Sequence, residues 1–404
     1  MTKRSTTARD ADGSAGAAGA CPVCDRPAEG SFFELPDMPV LCNQLFPDPE
    51  AARATPRGDI RLAYCEGCGF IWNCAFDAAR VPYGEHYENS LHFSPRFQTY
   101  AEALARRLID RYAVRDRRVV EIACGNGEFL SLLCELGDNR GIGYDPSGVP
   151  ERAQPGARER WEIRTRFFEE KDAAEPADLI CCRHALEHIE APVAFLETIR
   201  RGLRDRTDTV LYFEVPNSTW IVESLGLWDL IYEHCGYFTA PSLVHAFARA
   251  GFEVLDVQED FGRQFLSIEA RPGPPGVPPE PALGALSRSV EAFSRSCRAR
   301  VEDWRARLSA LAAEGRDAVV WGAGSKGATF VNLFQASGAL SRVVDVNPHK
   351  AGMRMSGTGH PIVPPDRLLE GGAPDLVILM NPIYREEVQG TLDALEIRSE
   401  LLDA

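Results

Sequence analysis

"RRVVEIACGNGEF", residues 117–129, runs a short apolar strand into a glycine turn and out into a helix start, and that order decides the fold. Glu121 stands at the strand end, and Gly125 and Gly127 let the backbone approach a ligand with its amide N–H groups facing it. The next strand, "GIGYDPS" at 141–147, ends in Asp145, about twenty residues on, where a carboxylate can accept both hydroxyls of a ribose. A glycine turn alone is weak evidence, because dinucleotide enzymes use similar ones. Outward from it, "EFLSLLCELG", "ADLICCRH", "APVAFLETIRRGL" and "DTVLYFEVPN" alternate amphipathic segments with apolar runs. That rhythm predicts a mostly parallel, doubly wound sheet, closed by two further strands in "EVLDVQED" and "FLSIEARPG".

The Pro/Gly run "PGPPGVPPEP" at 272–281 continues neither helix nor strand and marks a boundary. Beyond it, a helical stretch from Ala282 to about Ala313 leads into "DAVVWGAGSKG", "RVVDVNP" and "PDLVILMNP", a second strand, glycine turn and helix rhythm. The expected organisation is a disordered Ala/Gly/Ser-rich tail at 1–20, a cysteine module at 21–80, a Rossmann-like domain at 81–271 and a second Rossmann-like domain at 272–404. At 404 residues and 45% apolar content the chain can fill several cores. A net charge of -15 argues against a general nucleic-acid binder. No stretch approaches a membrane span or the apolar core of a signal peptide, so no membrane partner and a cytoplasmic location are expected.

Twelve cysteines in such a chain read as thiols rather than disulfides. "CPVC" (Cys21, Cys24) and "CEGC" (Cys65, Cys68) are two knuckles separated by roughly forty residues, each offering two thiolates on one tight turn. Together they supply the four sulfurs of a tetrahedral Zn2+ site, structural because no position stays open for a catalytic water. A zinc-dependent interaction with nucleic acid is the rival use, and the module is not notably basic.

Two segments concentrate titratable groups. "RHALEHI", at the carboxyl edge of the sheet where open α/β folds bind ligands, carries His184, Glu187 and His188. "IYEHCGYFT" at 231–239 carries Tyr232, Glu233, His234 and Tyr237. In the C-terminal half, "WGAGSKGATF" places Gly324, Ser325 and Lys326 where amides and an ammonium suit a phosphate, and "MNPIYREEV" adds Asn381 and Tyr384 to the same cleft. Asp345 follows the next strand and mimics a ribose-binding position, which leaves an NAD-dependent oxidoreductase open as an alternative.

The glycine loop and Asp145 resemble class I S-adenosylmethionine-dependent methyltransferases. That resemblance implies that Glu121, Gly125 and Gly127 face the methionine and ribose part, Asp145 the ribose, Phe168 and Glu169 the adenine, with His184 also on the methyl-donor side. The whole chain after residue 20 resembles the bacterial sugar C-methyltransferases: a two-CxxC module, a methyltransferase domain with "LEHI" and a Glu-His pair ahead of "YFT", and a Rossmann-like domain opening with "GAGSKG". The family methylates nucleotide-linked ketosugars of antibiotic and surface-glycan pathways. The resemblance implies an acceptor site lined by His188, Glu233, His234 and a tyrosine of "YGEHYENSLHFS", Tyr87 in preference to Tyr83, with the C-terminal half binding the nucleotide diphosphate. The family often reads Tyr-His-Glu-His where this chain has Ile231-Tyr232-Glu233-His234.

The expected function is carbon methylation through an enolate, which needs a base for the C–H and a donor for the oxyanion. His234 or Tyr232 is the base, Glu233 orients it, and His188 stabilises the enolate, with roles inside the set interchangeable. Methyl transfer to oxygen or nitrogen of another phosphorylated metabolite is the nearest alternative.

Overall fold

The computed structural model describes residues 18–81, 87–149, 160–276, 278 and 280–404. Most of the expected tail and Tyr83 lie outside the described residues, while Ala20 bridges to Pro27 beside the first cysteine knuckle. The fold is mixed α/β and, among the described residues, is built on three sheets.

The first sheet starts in the cysteine module: β1 (Phe33–Pro39), β2 (Arg57–Tyr64) and β3 (Ile71–Asn73), all antiparallel. The Cys65–Cys68 knuckle is the turn between β2 and β3, closed by Cys65 N donating to Phe70 O at 2.8 Å and Gly69 N to Cys65 O at 2.8 Å. Gly69 adopts φ +80, the left-handed region where a side chain is strained.

The central sheet is built from β4 (Arg118–Ile122), β5 (Arg140–Tyr144), β6 (Trp161–Arg164), β7 (Leu179–Arg183) and β8 (Val210–Pro216), all parallel. A two-residue strand, β9 (Gly236–Tyr237), then leaves this sheet and pairs with β3 of the first. The chain returns as β10 (Phe252–Asp260) and β11 (Phe265–Pro272), an antiparallel hairpin added beside β8. The spatial order β10-β11-β8-β7-β4-β5-β6 puts the first strand in the middle, so the crossover between β4 and β7 opens the crevice where such sheets bind ligands.

Both faces of this sheet are covered. Val119, Leu179 and Cys181 pack with the helices Pro95–Tyr112 and Glu128–Gly137, and their neighbours Val120, Ile180 and Cys182 pack with Pro192–Leu203 and Ala240–Arg249. Strand period 2 therefore explains why these runs read as continuously apolar.

The third sheet, β14-β13-β12-β15-β16, is wholly parallel: β12 (Ala318–Trp321), β13 (Leu340–Val344), β14 (Ile362–Val363), β15 (Leu376–Leu379) and β16 (Glu400–Asp403). The helix Gly284–Ala313 precedes it. One face of that helix joins a core holding both β1/β2 residues (Phe33, Leu35, Ile60, Leu62) and β12/β13 residues (Val320, Val343). Phe293 meets Phe33 edge-on at 5.2 Å. The cysteine module and the C-terminal sheet thus share apolar burial across this one helix. No described helix is long and apolar enough to cross a membrane.

Candidate active site

After β4 the chain turns through Ala123 (φ 55), Gly125 (φ 55) and Gly127 (φ 83) into the helix Glu128–Gly137. A Cβ on Gly127 would lie 2.9 Å from the Trp161 ring, so glycine is required by both conformation and space. Asp145, just past β5, is buried and faces this loop: its Oδ2 accepts from Gly125 N at 2.9 Å, and its Oδ1 from Ser147 N and Oγ, each at 2.7 Å. Three of its roughly four acceptor sites are filled, which fixes the carboxylate's direction and leaves limited capacity for a ribose. Glu121 is buried, its Oε2 has no partner among the described residues, and burial pushes its pKa up to about 8. A cationic ligand above the loop would give that oxygen a partner. The loop, the fixed aspartate and the unpartnered glutamate fit S-adenosylmethionine.

At the expected adenine position two adjacent rings face different ways. Phe168 turns inward and meets Tyr144 edge-on at 5.2 Å, while Phe167 is 68% exposed. The two lie in irregular chain between β6 and the helix Glu170–Ala173, where no period fixes direction, so sequence position alone could not choose between the two rings. Glu169 caps the short helix Glu170–Ala173 through a reciprocal bond with Asp172 and pairs with Lys171.

His184 follows β7 with φ 51, its Nε2 2.9 Å from Glu214 Oε1 and its ring edge-on to Phe265 at 4.5 Å. Burial pushes the Glu214 carboxyl up, but Arg183, which donates to Oε1 at 2.8 and 3.0 Å, and His184 hold it well below the usual carboxylate range. His184 is thereby anchored to β8 and β11 through Glu214 and Phe265.

The acceptor candidates gather where "RHALEHI" meets 231–239. Tyr237 locks the second segment: its hydroxyl donates to Ile231 O at 3.0 Å and accepts from Ile231 N at 3.2 Å. Glu233 has no exposed surface; Oε1 accepts from Cys42 N at 2.7 Å and Cys42 Sγ at 2.9 Å, and Oε2 from Tyr87 Oη at 2.8 Å. Burial raises its pKa, and the bonds from Cys42 and Tyr87 partly offset this. His188 and His234 meet edge-on at 4.8 Å. Burial depresses both imidazoles, His188 to about 4 and His234 well below the ordinary value, with His188 and Lys326 adding to the effect on His234. His188 Nδ1 lies 3.1 Å from Glu233 O, and a carbonyl only accepts, so Nδ1 carries the proton.

Two expectations are corrected. Tyr232 does not join this group: its hydroxyl accepts from Asp77 N at 3.0 Å, its ring packs on Phe76 and against Gly58, and the side chain is 1% exposed. Its alternate position beside Glu233 turns it into the cysteine module's core. Glu233, in turn, orients Tyr87 rather than His234. Cys42 escaped the sequence reading, because an isolated cysteine in "PVLCNQLF" carries no spacing signal.

In the C-terminal half, Gly324 caps the helix Ser325–Phe334, and a Cβ on Gly327 would stand 2.0 Å from Gly322 O. Lys326 is paired with Asp229 and lies 5.2 Å from the centre of the Trp220 ring, so its ammonium is not held ready for a phosphate alone. Asn381 exchanges two amide hydrogen bonds with Gln264 (2.9 and 2.8 Å), and Tyr384 packs on Phe261 at 6.0 Å. Both clamp the C-terminal sheet to the β10/β11 hairpin. Asp345 accepts from Ala323 N and Asn347 N, each at 2.8 Å, and pairs with buried Lys350 at 3.5 Å.

The four cysteines of the knuckles converge: Cys21 and Cys68 sulfurs are 3.6 Å apart, Cys24 and Cys65 3.4 Å, and all four ligand atoms lie within 4.8 Å of one another. A tetrahedron of sulfurs about 2.3 Å from a central Zn2+ has edges of about 3.8 Å, which this cluster fits.

A methyltransferase domain family model matches residues 97–257, and a C-methyltransferase C-terminal domain model matches residues 282–399. None of the curated proteins matches the chain. Among solved structures, N,N-8-amino-8-demethyl-D-riboflavin dimethyltransferase from Streptomyces davawensis is 21% identical over 44% of this chain and 56% of its own, with a TM-score of 0.35. Magnesium protoporphyrin IX methyltransferase from Synechocystis PCC 6803, with bound S-adenosylhomocysteine, is 18% identical over 44% of this chain and 84% of its own, with a TM-score of 0.34. 1,6-Didemethyltoxoflavin-N1-methyltransferase from Burkholderia thailandensis is 18% identical over 53% and 96%, with a TM-score of 0.34. With its donor loop inside the first matched region and its second glycine loop inside the other, the chain is an S-adenosylmethionine-dependent methyltransferase carrying a C-methyltransferase C-terminal domain.

Proposed function

We propose that the protein methylates carbon of a nucleotide-linked ketosugar or a related small carbonyl compound. The observation that carries this reading is the buried Glu233 carboxylate with the Tyr87 phenol donating to it at 2.8 Å. Oxygen and nitrogen acceptors need little more than one base, whereas a carbon acceptor must first become an enolate. A phenol that can pass its proton to a carboxylate is suited to take a proton from carbon in the same step. The two imidazoles, depressed by burial, are weak bases and better suited to the oxyanion side. When bound, S-adenosylmethionine supplies an electrophilic methyl group; Glu121, Gly125, Gly127 and Asp145 would hold it, with Phe167 as the exposed ring for adenine. Gly324 and Ser325 amides would meet the nucleotide diphosphate, with Lys326 exchanging Asp229 for phosphate. The Cys21, Cys24, Cys65 and Cys68 thiolates would hold a structural Zn2+, supported by their convergence.

Solvent exchange tests the reading. In D2O without the methyl donor, the protein should wash deuterium into the position beside the ketone of a nucleotide-linked ketosugar, and Tyr87→Phe should slow this about 100-fold. Methyl transfer with no washout at any carbon would overturn it in favour of oxygen or nitrogen methylation.

A further inference from the structure

Glu187, His188 and His234 offer a carboxylate oxygen and two imidazole nitrogens that lie within 4.8 Å of one another. Two independent observations point to something held between them. Glu187 is 2% exposed and its Oε2 is buried with no hydrogen-bond partner among the described residues. His234 Nδ1 is buried and partnerless in the same sense. Buried polar atoms are normally paired, so two left unmet on residues whose ligand atoms lie this close call for an occupant. The orientation of His188 fits as well. Its Nδ1–H is committed to Glu233 O at 3.1 Å, which puts the lone pair on Nε2. A ligating histidine ordinarily donates its other ring N–H to a backbone carbonyl in this way.

The backbone holds the three together firmly. Glu187 and His188 share the tight turn Leu186–His188 after β7, and 231–239 is fixed by the Tyr237 hydroxyl and by β9 pairing with β3. We propose that Glu187, His188 and His234 form a divalent-cation site, separate from the four thiolates, that binds a first-row metal through two imidazoles and one carboxylate. Two nitrogens and an oxygen select borderline cations such as Zn2+, Fe2+ or Co2+ over Ca2+ and Mg2+, and three protein ligands leave positions open for an acceptor oxygen. The cation's purpose rests on the reading of a carbonyl acceptor, whose oxygen it would polarise beside the Tyr87–Glu233 pair. Its presence does not rest on that reading.

Cobalt distinguishes the two sites because thiolate ligation gives an intense sulfur-to-metal charge-transfer band and N/O ligation does not. The full-length protein, stripped by chelator and titrated with Co2+, should bind two ions: one that raises the charge-transfer band and one that adds only weak visible bands. Glu187→Gln and His234→Ala should each bind one, with the charge-transfer band retained as a check that the fold survives. Saturation of the wild type at the thiolate site alone, or unchanged stoichiometry in both variants, would overturn the proposal and leave a bridging water as the occupant. Neither outcome depends on any acceptor, so a wrong ketosugar assignment cannot produce or mask them.

Discussion

The two glycine loops differ in a way that their similar sequences conceal. In each, an aspartate after the next strand accepts from a loop amide and from the amide two residues on: Asp145 from Gly125 and Ser147, Asp345 from Ala323 and Asn347. At the second loop, Lys350 pairs with the aspartate at 3.5 Å and donates to Ala323 O at 3.0 Å. Among the described residues no lysine or arginine pairs with Asp145 at the first loop; beside it stands a buried glutamate with an unpartnered oxygen, whose nearest cationic influence is Arg183. One aspartate has its counter-charge built in, while the carboxyl beside the other keeps an oxygen that a cationic ligand could meet, and the methyl donor is a sulfonium. A shared fold detail therefore stands in two different electrostatic settings in the two halves.

The comparison can be broken in several ways. The largest effect belongs to the built-in charge: Lys350→Met takes the buried cation away from the partly buried Asp345 and should cost about 3 kcal/mol in denaturant unfolding. S-adenosylhomocysteine affinity should stay within about twofold, since none of the donor loop is touched. Next comes Glu121. Its folded pKa of about 8 lies above the ordinary 4.5, so the folded state holds the proton more tightly. Stability should fall as pH rises through that interval and level off above it, by a few kcal/mol. Glu121→Gln should flatten that slope in unfolding measured from pH 5 to 9. Asp145→Asn should weaken S-adenosylhomocysteine by about 30-fold in calorimetry, and Asp345→Asn by less than about twofold. The smallest effect is Gly127→Ala, where φ 83 and the Trp161 ring should together cost about 1–2 kcal/mol. Equal losses of donor affinity at both aspartates would erase the distinction.

The α/β fold was legible because strand, glycine turn and helix repeat with their own periods, and the CxxC spacing was enough to bring four sulfurs together. Side-chain direction was not legible at a single residue's resolution. Tyr232 and Glu233 are neighbours, yet the first points onto Gly58, Phe76 and Asp77 and the second toward Cys42 and Tyr87. Phe167 and Phe168 divide in the same way. Cys42 is 191 residues from the carboxylate it contacts, so no local pattern could announce it. The pairing of Lys326 with Asp229 was equally hidden, since a lysine in a glycine turn reads as a phosphate ligand until its partner is seen.

The destination of the methyl group tests the central claim most directly. The protein would be supplied with S-adenosylmethionine carrying a 13C-methyl group and a panel of nucleotide-linked ketosugars, and the product examined by carbon NMR. The account predicts a methyl resonance of a carbon-bound group, attached to the carbon beside the ketone. A resonance of a methyl bound to oxygen or nitrogen would contradict it.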